Sequence, residues 1–337
     1  MLNFKNDYSE GAHPKVLEAI AALNLEGNVG YGADPYCQRA ADLIRDLCQA
    51  PDAAVHFFVG GTSANLTAIA AFLRPWEAVI APVTGHINVH EGGAVEASGH
   101  KILAVPTTDG KLRPADLEAL ASQHEDSAMV LPRLVYLSNA TEIGTVYTKA
   151  ELTALSACCK RLGLLLFLDG ARLGTGLTSP ACDLTLPDLA VLTDAFYLGG
   201  TKNGALMGEA LVINNPALGK DFFRLKKQRG GVLAKGWLLG VQFDALFTDG
   251  LYQKLGKNAI ETAERLREGF QEKGFSFYLD TPTNQIFLVV DRAQREDLAR
   301  KAAFSFWEQL DEERTVIRFV TSWATRMEDV EELIRRL

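Results

Sequence analysis

Two stretches decide the fold that this sequence predicts: Leu164-Leu-Leu-Phe-Leu-Asp-Gly-Ala-Arg172 and Ala195-Phe-Tyr-Leu-Gly-Gly-Thr-Lys-Asn-Gly204. Each begins with a short apolar run, which is typical of a strand buried on both faces. The first run ends at Asp169, and the second leads to Lys202, which stands among glycines that let a ligand come close. The two stretches therefore predict a pair of charged side chains near the ends of buried strands.

Outward from these stretches, short apolar runs alternate with longer amphipathic ones. The apolar runs predict strands over residues 54–59, 78–82, 101–105, 134–138, 164–169, 195–198 and 210–213. The amphipathic runs predict helices over residues 63–73, 88–97, 113–123 and 149–162. Strands that alternate with helices form a mostly parallel sheet covered on both faces, and such sheets bind ligands at the carboxyl ends of their strands.

The pattern changes after about Gly231. The remaining sequence predicts helices over residues 234–247, 251–273, 295–309 and 327–337, and strands over 275–279, 284–290 and 315–320. We therefore expect a large α/β domain over residues 1–250 and a small α+β domain over 251–337, joined by the long helix at 251–273. The amino-terminal segment is expected to reach the site in the large domain.

The composition is that of an ordinary globular protein, with 47% hydrophobic and 23% charged residues in 337. A net charge of −8 argues against nucleic acid or an anionic membrane as a partner, because both attract basic surfaces. The five cysteines are odd in number and show no CxxC spacing, which favours a reducing compartment. Without a signal peptide or an apolar run that could span a bilayer, the sequence predicts a soluble cytoplasmic protein.

A glycine-rich turn, Gly60-Gly-Thr-Ser63, stands between a predicted strand and the helix that follows it. Free amides at the amino end of a helix attract anions, so Gly61, Thr62 and Ser63 are candidates for binding a phosphate. A capped strand-to-helix turn without a ligand explains the same residues. The turn alone leaves both interpretations open.

His86 follows the strand predicted over residues 78–82. At that position an imidazole could stack on an aromatic ligand and move protons, although a solvated or capping histidine is the commoner case. His90 and Glu91 lie one helical turn further on, but no third ligand suggests a metal site. We therefore expect no metal.

Three arginines stand in unusual surroundings: Arg172 after a strand end, Arg229 before two glycines, and Arg318 inside an apolar strand. A guanidinium can hold a carboxylate through two hydrogen bonds, which suggests a carboxylate ligand for Arg318. The alternatives are a surface ion pair for Arg172 and an outward edge position for Arg318. The glycines beside Arg229 suggest a loop that meets a ligand or another subunit, whereas its cationic neighbours favour a solvated face.

The combination of Asp169 with Lys202 is one that enzymes dependent on pyridoxal 5′-phosphate (PLP) use. The lysine forms a Schiff base with the cofactor aldehyde, and the carboxylate keeps the pyridine nitrogen protonated so that the ring accepts electrons. Capping a helix is the other common role of such an aspartate. Capping does not explain why a long apolar strand ends in a carboxylate beside a glycine, so the sequence predicts PLP in a Schiff base with Lys202.

Related motifs extend over nearly the whole chain: Asn6-Asp-Tyr-Ser9, Gly30-Tyr-Gly-Ala-Asp-Pro-Tyr36, Gly60-Gly-Thr-Ser-Ala-Asn65, His86-Ile87, Glu91-Gly-Gly-Ala94, Asp169-Gly-Ala-Arg172, Gly200-Thr-Lys-Asn-Gly204, Arg229-Gly-Gly231 and Arg318-Phe-Val-Thr-Ser-Trp323. In these motifs the chain resembles the threonine aldolase and β-eliminating lyase family of fold-type I PLP enzymes, and among them the low-specificity L-threonine aldolases. The resemblance implies the PLP-dependent transferase-like (aspartate aminotransferase) fold. It also implies a homodimer or homotetramer with the active site at the dimer interface.

Carried over residue by residue, the resemblance implies that Lys202 carries the Schiff base, that Asp169 pairs with the pyridine nitrogen and that His86 stacks on the ring. The residues implied in cofactor binding are Gly61, Thr62, Ser63, His86, Asp169, Arg172, Lys202 and Arg229. Those implied in substrate binding are Asn6, Tyr31, Arg172 and Arg318. Arg229 would reach the phosphate from the same or the neighbouring subunit, and Tyr31 would line the site across the interface.

The resemblance implies an aldehyde-lyase that cleaves β-hydroxy-α-amino acids, such as threonine or allo-threonine, into glycine and an aldehyde. The segment Ser138-Asn-Ala-Thr-Glu-Ile-Gly-Thr145 departs from the pattern of many relatives, because a second active-site histidine is absent and Thr141 stands near its position. The candidate bases for the β-hydroxyl proton are His86, or a water that it holds, and Glu142. The alternatives are β-elimination or transamination of a small or aromatic amino acid, and a non-catalytic dimeric binding protein.

Overall fold

The computed structural model describes all 337 residues. Its strands are β1 (Leu2–Asn3), β2 (Ala54–Phe58), β3 (Glu77–Pro82), β4 (Ile102–Val105), β5 (Leu131–Ser138), β6 (Leu165–Asp169), β7 (Ala195–Gly199), β8 (Glu209–Ile213), β9 (Ser276–Phe277), β10 (Gln285–Asp291), β11 (Ala302–Ala303), β12 (Ser305–Gln309) and β13 (Arg314–Val320). Its helices are α1 (Pro14–Ala22), α2 (Pro35–Cys48), α3 (Gly61–Phe72), α4 (His86–Val89), α5 (Ala94–Ala97), α6 (Pro114–Gln123), α7 (Lys149–Leu162), α8 (Leu173–Thr178), α9 (Leu186–Leu192), α10 (Pro216–Gly219), α11 (Phe222–Gln228), α12 (Trp237–Phe247), α13 (Leu251–Glu272), α14 (Arg292–Lys301) and α15 (Met327–Arg336). None of the helices has the length and apolar character needed to cross a membrane.

A seven-stranded sheet forms the centre of the molecule, in the order β2-β8-β7-β6-β5-β3-β4. The five strands from β7 to β4 are parallel, and β8 runs antiparallel to both of its neighbours. All seven strands predicted from the apolar runs of the first 213 residues are present in this sheet. The predicted mixed, mostly parallel sheet is therefore confirmed.

The central strands bury both of their faces. On β6, Leu166 and Leu168 belong to one hydrophobic core, whereas Leu165 and Phe167 belong to the other. The first core contains side chains from α2, α7, α9 and α12, and the second contains side chains from α3 and α5. Because helices cover both faces, these strands are continuous apolar runs in the sequence.

One edge of the sheet gathers the chemically reactive side chains. The strands β2, β3, β5, β6 and β7 all point their carboxyl ends to this edge, and β8 begins there because it runs in the opposite direction. The chain passes from β3 to β4 on one side and then to β5 on the other, so the strand order reverses at β3. Open α/β sheets bind ligands at such a reversal.

The carboxy-terminal part forms a four-stranded antiparallel sheet in the order β12-β13-β10-β9, which packs on α13, α14 and α15. Helix α13 contributes Leu255 to the core of the large sheet and Phe270 to the core of the small one, so it connects the two. Phe4 also lies in the small core, and β1 pairs with β11. The division at residue 250 stays a prediction.

Two helices predicted from the sequence differ in the structure. The prediction of a helix over residues 295–309 is wrong in its second half, because α14 ends at Lys301 and residues 305–309 form β12. Aromatic residues there favour an extended chain, and Trp307 packs 4.9 Å from the ring of Phe287. The helix predicted over residues 88–97 is interrupted between α4 and α5, where Gly92 and Gly93 have φ of 59° and 74°.

The contact between α13 and α8 requires a glycine, which makes it testable. A Cβ atom at position 256 would lie 2.2 Å from the carbonyl oxygen of Gly174. Gly256→Ala is therefore expected to destabilise the protein by about 1–3 kcal/mol, because the helices must separate. Chemical denaturation measures this, with Gly219→Ala as the control, since a Cβ atom there meets nothing within 4 Å. Equal stabilities of the two variants would contradict the close packing.

Candidate active site

Two cavities that share residues open at the carboxyl edge of the large sheet. The smaller, of about 290 Å³, contains Gly60, Gly61, Thr62, Asp169, Glu209 and other residues of this edge. The larger, of about 750 Å³, extends to the small sheet and includes Trp307 and Arg318. Both cavities are lined by Tyr8, His86, Glu142, Arg172 and Lys202. The structure thus brings together most of the site residues predicted from the sequence.

Asp169, at the end of β6, is almost fully buried and accepts four hydrogen bonds. The hydroxyl groups of Tyr197 and Tyr136 donate to it at 2.5 and 2.6 Å, and the side-chain amide of Asn65 donates at 2.9 Å. The backbone N–H of Ala171 donates at 3.0 Å. These donors stabilise a negative charge at the floor of the smaller cavity.

A chain of hydrogen bonds connects His86 to Asp169. Glu91 Oε1 lies 2.8 Å from His86 Nδ1 and accepts a 2.8 Å hydrogen bond from the amide of Asn65, which also donates to Asp169. Burial alone would lower the pKa of His86, but the hydrogen bond to Glu91 and the charges of Asp169 and Glu91 raise it. The carboxylate of Glu91 therefore holds the imidazole with a proton on Nδ1 and raises its pKa above the ordinary value.

Lys202 lies in the turn between β7 and β8, with its amine 6.0 Å from the centre of the Tyr8 ring. Burial, and after it the charge of Arg172, lowers the pKa of the Lys202 amine. A larger fraction of this amine is therefore neutral and nucleophilic near neutral pH. Beneath the turn, burial raises the pKa of Glu209 to about 8, and its carboxyl group accepts a 2.9 Å hydrogen bond from Thr201.

Arg172 is paired with an aspartate that the sequence analysis did not assign. Its Nε and one terminal nitrogen donate to the two oxygens of Asp7 at 2.7 and 3.0 Å, and Asn284 donates a third hydrogen bond to Asp7 at 3.0 Å. Burial alone would raise the pKa of Asp7, but the charges of Arg172 and Lys202 and these hydrogen bonds lower it to about 2. The pair fixes the orientation of the guanidinium at the cavity wall.

Asp7 is expected to make the stability of the protein depend on pH in the acid range. A carboxyl group whose pKa falls on folding, here from 3.8 to about 2, contributes stability that is complete above 3.8 and lost as the pH drops through 2. The shift corresponds to about 2 kcal/mol. The difference in unfolding free energy between the wild type and Asp7→Asn should therefore shrink as the pH is lowered from about 5. A difference that is independent of pH would contradict this assignment.

Arg318 extends from β13 into the larger cavity. One terminal nitrogen donates to Gln285 at 3.0 Å, and the guanidinium lies over the Trp307 ring at 5.2 Å. Its Nε is buried and has no partner in the protein. Burial, followed by the charge of Arg172, lowers the pKa of Arg318 to about 10, so it remains a cation with an unused donor. This arrangement suits a carboxylate ligand.

Four predicted site residues lie away from these cavities. Asn6 accepts hydrogen bonds from the backbone of Tyr8 and the hydroxyl of Ser9, which fixes the turn that carries Asp7 and Tyr8. Ser63 is in the first turn of α3 but does not line the cavity. Tyr31 lines a separate cavity of about 250 Å³. Arg229 lines neither shared cavity, and its Nε is buried without a partner.

The sequence of this chain is related to a known family of enzymes and to individual members that have been named. Residues 4–293 match the family described as Beta-eliminating lyase. The chain belongs to this family. The low specificity L-threonine aldolase of Pseudomonas aeruginosa is 34% identical over 98% of this chain and 96% of its own length. That of Escherichia coli K12 is 28% identical over 86% of this chain and 85% of its own.

Solved structures of family members and more distant proteins share the fold. A threonine aldolase of Leishmania major has a TM-score of 0.98 and 46% identity, covering 99% of this chain and 98% of its own. A mutant aspartate aminotransferase of Thermus thermophilus has a TM-score of 0.73 at 16% identity, covering 100% and 90%. The second likeness concerns the fold alone, and it confirms the predicted aspartate aminotransferase architecture.

Membership in the family implies PLP, and the residues of this site fit that cofactor. No side chain caps the amino end of α3, so its first amides are available for a phosphate at one end of the smaller cavity. A Cβ atom at Gly61 would lie 2.9 Å from the Tyr197 hydroxyl, so glycine is needed where α3 passes the partner of Asp169. Lys202 and Asp169 line the same cavity, so they could supply the amine and the buried carboxylate that the cofactor requires.

Proposed function

We propose that this protein is a PLP-dependent aldehyde-lyase that cleaves threonine or allo-threonine into glycine and acetaldehyde. The observation that carries the proposal is the meeting of Lys202, Asp169 and His86 with two arginines in two cavities that share residues. The names of the related threonine aldolases support the same reaction. Function depends on this constellation of side chains and not on the fold, which aminotransferases share.

When bound in a Schiff base with Lys202, PLP supplies an electron sink for the electron pair released from the Cα–Cβ bond. Lys202 can attack because its lowered pKa leaves part of the amine neutral. Asp169, held by four donors, would keep the proton on the pyridine nitrogen. His86 would pack against the ring, and Gly61 and Thr62 would hold the phosphate at the start of α3.

The substrate carboxylate is assigned to the two arginines. Arg318 offers a buried Nε without a protein partner, and Arg172 is oriented by its two hydrogen bonds to Asp7. A carboxylate fixed between them would restrict rotation of the amino acid, so the bond to be broken keeps one direction relative to the ring. Asn6 would act on substrate only through the turn that it stabilises.

We also propose that the enzyme is a homodimer or homotetramer. Tyr31, whose side chain is more than half exposed, and Arg229 lie outside the shared cavities, which supports a role for both in the site of a neighbouring subunit. Light scattering on the purified protein would determine the assembly. A cytoplasmic location is supported by the five cysteines, all of which are free thiols.

The decisive experiment adds L-threonine to the PLP-loaded protein and couples acetaldehyde to NADH oxidation through alcohol dehydrogenase. Oxidation of NADH that depends on both threonine and enzyme would support the aldolase. A keto-acid product without acetaldehyde would instead indicate β-elimination or transamination. If the protein binds neither PLP nor amino acids, aldol cleavage, β-elimination and transamination are all excluded. The remaining alternative is then the non-catalytic binding protein.

A further inference from the structure

Glu142 lies in the turn after β5, beside β3, where the strand order reverses. Only one of its two carboxylate oxygens accepts hydrogen bonds from the protein. Oε1 accepts a 2.6 Å hydrogen bond from the Ser138 hydroxyl and a 3.1 Å hydrogen bond from the backbone N–H of His86. Oε2 has no hydrogen-bond partner in the protein, while the side chain lines both cavities. The carboxylate is thus fixed by one oxygen and available through the other.

Among the acidic side chains, only Glu142 lines both cavities. Both oxygens of Asp169 and both oxygens of Glu209 already accept hydrogen bonds. Thr141, its neighbour, lines neither cavity because its hydroxyl is buried against that of Thr145 at 2.8 Å. Glu142 is therefore the one acidic residue that presents a carboxylate oxygen without a hydrogen-bond partner, Oε2, where the smaller cavity meets the larger one.

His86 is less suited to accept a proton. Its Nδ1 is committed to the buried Glu91, and the hydrogen bond to Glu91, followed by the charge of Asp169, raises the pKa of the imidazole although burial opposes this. A raised pKa leaves a smaller fraction of the neutral imidazole, which alone has a free lone pair to accept a proton. Burial and then the charge of Asp169 raise the pKa of the Glu142 carboxyl group, although the Ser138 hydrogen bond opposes this. A carboxylate with a raised pKa is a stronger base than an ordinary one.

We propose that Glu142, through Oε2, accepts the proton of the substrate β-hydroxyl group; the inference depends on the proposed aldolase function. The O–H bond breaks and an Oε2–H bond forms. The oxygen electron pair becomes the second bond of the aldehyde carbonyl as the Cα–Cβ pair moves to the α-carbon side. Oε2 then releases its proton to solvent and one proton from solvent joins Cα to give glycine, so atoms and charges balance without an oxidant or reductant.

The test compares two reactions of the PLP-loaded variant Glu142→Gln. Cleavage of threonine is expected to fall about 100-fold, because the amide cannot take the proton. The second reaction is the exchange of the glycine α-proton for deuterium in heavy water, which NMR follows. This exchange needs the cofactor, Lys202 and the two arginines, but glycine has no β-hydroxyl group and so needs no base for one. That exchange is expected to stay within about threefold of the wild type. Glu312→Gln, which changes an exposed acid that lines neither cavity, is the matched control and should leave both rates unchanged.

A readout on the cofactor-free protein is independent of turnover. Infrared difference spectra recorded across a pH titration should contain the signal of one more buried carboxyl group in the wild type than in Glu142→Gln, whereas the signal of Glu209, whose pKa burial raises to about 8, should appear in both proteins. Cleavage that is unchanged in this variant would overturn the proposal, as would an equal loss of cleavage and exchange, which indicates that Glu142 only positions His86. Wild-type protein that exchanges glycine but releases no aldehyde from threonine would disprove the aldolase itself.

Discussion

Lys202→Ala is expected to lower threonine cleavage by at least about 10,000-fold, because no other amine can take its place. Lys202 is the only lysine that lines either of the two shared cavities. Its neighbours Arg172 and Arg318 cannot form a Schiff base, since guanidinium groups stay protonated. The variant should also lack the visible absorption band of PLP bound to a lysine, even after the cofactor is added in excess.

A control must show that the loss of threonine cleavage results from removing the Lys202 amine and not from removing any lysine. Lys220→Ala removes an exposed lysine beside α10 and should leave both the activity and the absorption band unchanged. Borohydride reduction followed by peptide mass spectrometry should find the cofactor attached to Lys202 in the wild type and in the control. A reduced adduct on another lysine, or a band that persists in Lys202→Ala, would disprove the assignment.

The large sheet was predictable from the sequence because its strands are buried on both faces. A strand such as β6 then has only apolar residues until it reaches the edge, where Asp169 interrupts the run. The small sheet was less predictable, because β12 is partly exposed and follows a real helix without a strong break. Its strand character depends on pairing with β13, a contact that local sequence does not show.

The site, like the fold, was predictable where it depends on strand ends and not where it depends on contacts between distant parts of the chain. Strand ends of one sheet meet at one edge, so Asp169, His86 and Lys202 could be expected to lie together. The side chains that hold them could not, because Arg172 and Asp7 are 165 positions apart and only the tertiary fold joins them. The spacing of Glu91 from His86 suggests a metal ligand, whereas in the structure Glu91 hydrogen-bonds the imidazole.

Asp169→Asn is expected to lower the activity about 1,000-fold, which is the upper range for removing one electrostatic group from an active site. An asparagine has the same shape, but it loses the charge that keeps the pyridine nitrogen protonated. Its amide nitrogen would also face donors, since two tyrosine hydroxyl groups, Asn65 and the backbone of Ala171 all donate to this side chain. At least one of these buried donors would lose its acceptor, which adds a cost in stability.

The control for Asp169 is Tyr136→Phe, which removes one of the four donors and keeps the charge. If the charge is what matters, this variant should lose at most about a hundredfold in activity, because a single hydrogen bond to a charged group is worth about 1.5–3 kcal/mol. PLP affinity, measured by fluorescence titration of the cofactor-free proteins, should likewise fall more in Asp169→Asn than in Tyr136→Phe. Equal effects of both substitutions would mean that the hydrogen-bond network, and not the carboxylate charge, supports the ring. The charge is the stronger candidate, because all four groups that contact the Asp169 carboxyl group in the structure are hydrogen-bond donors, and donors converge where a negative charge must be stabilised.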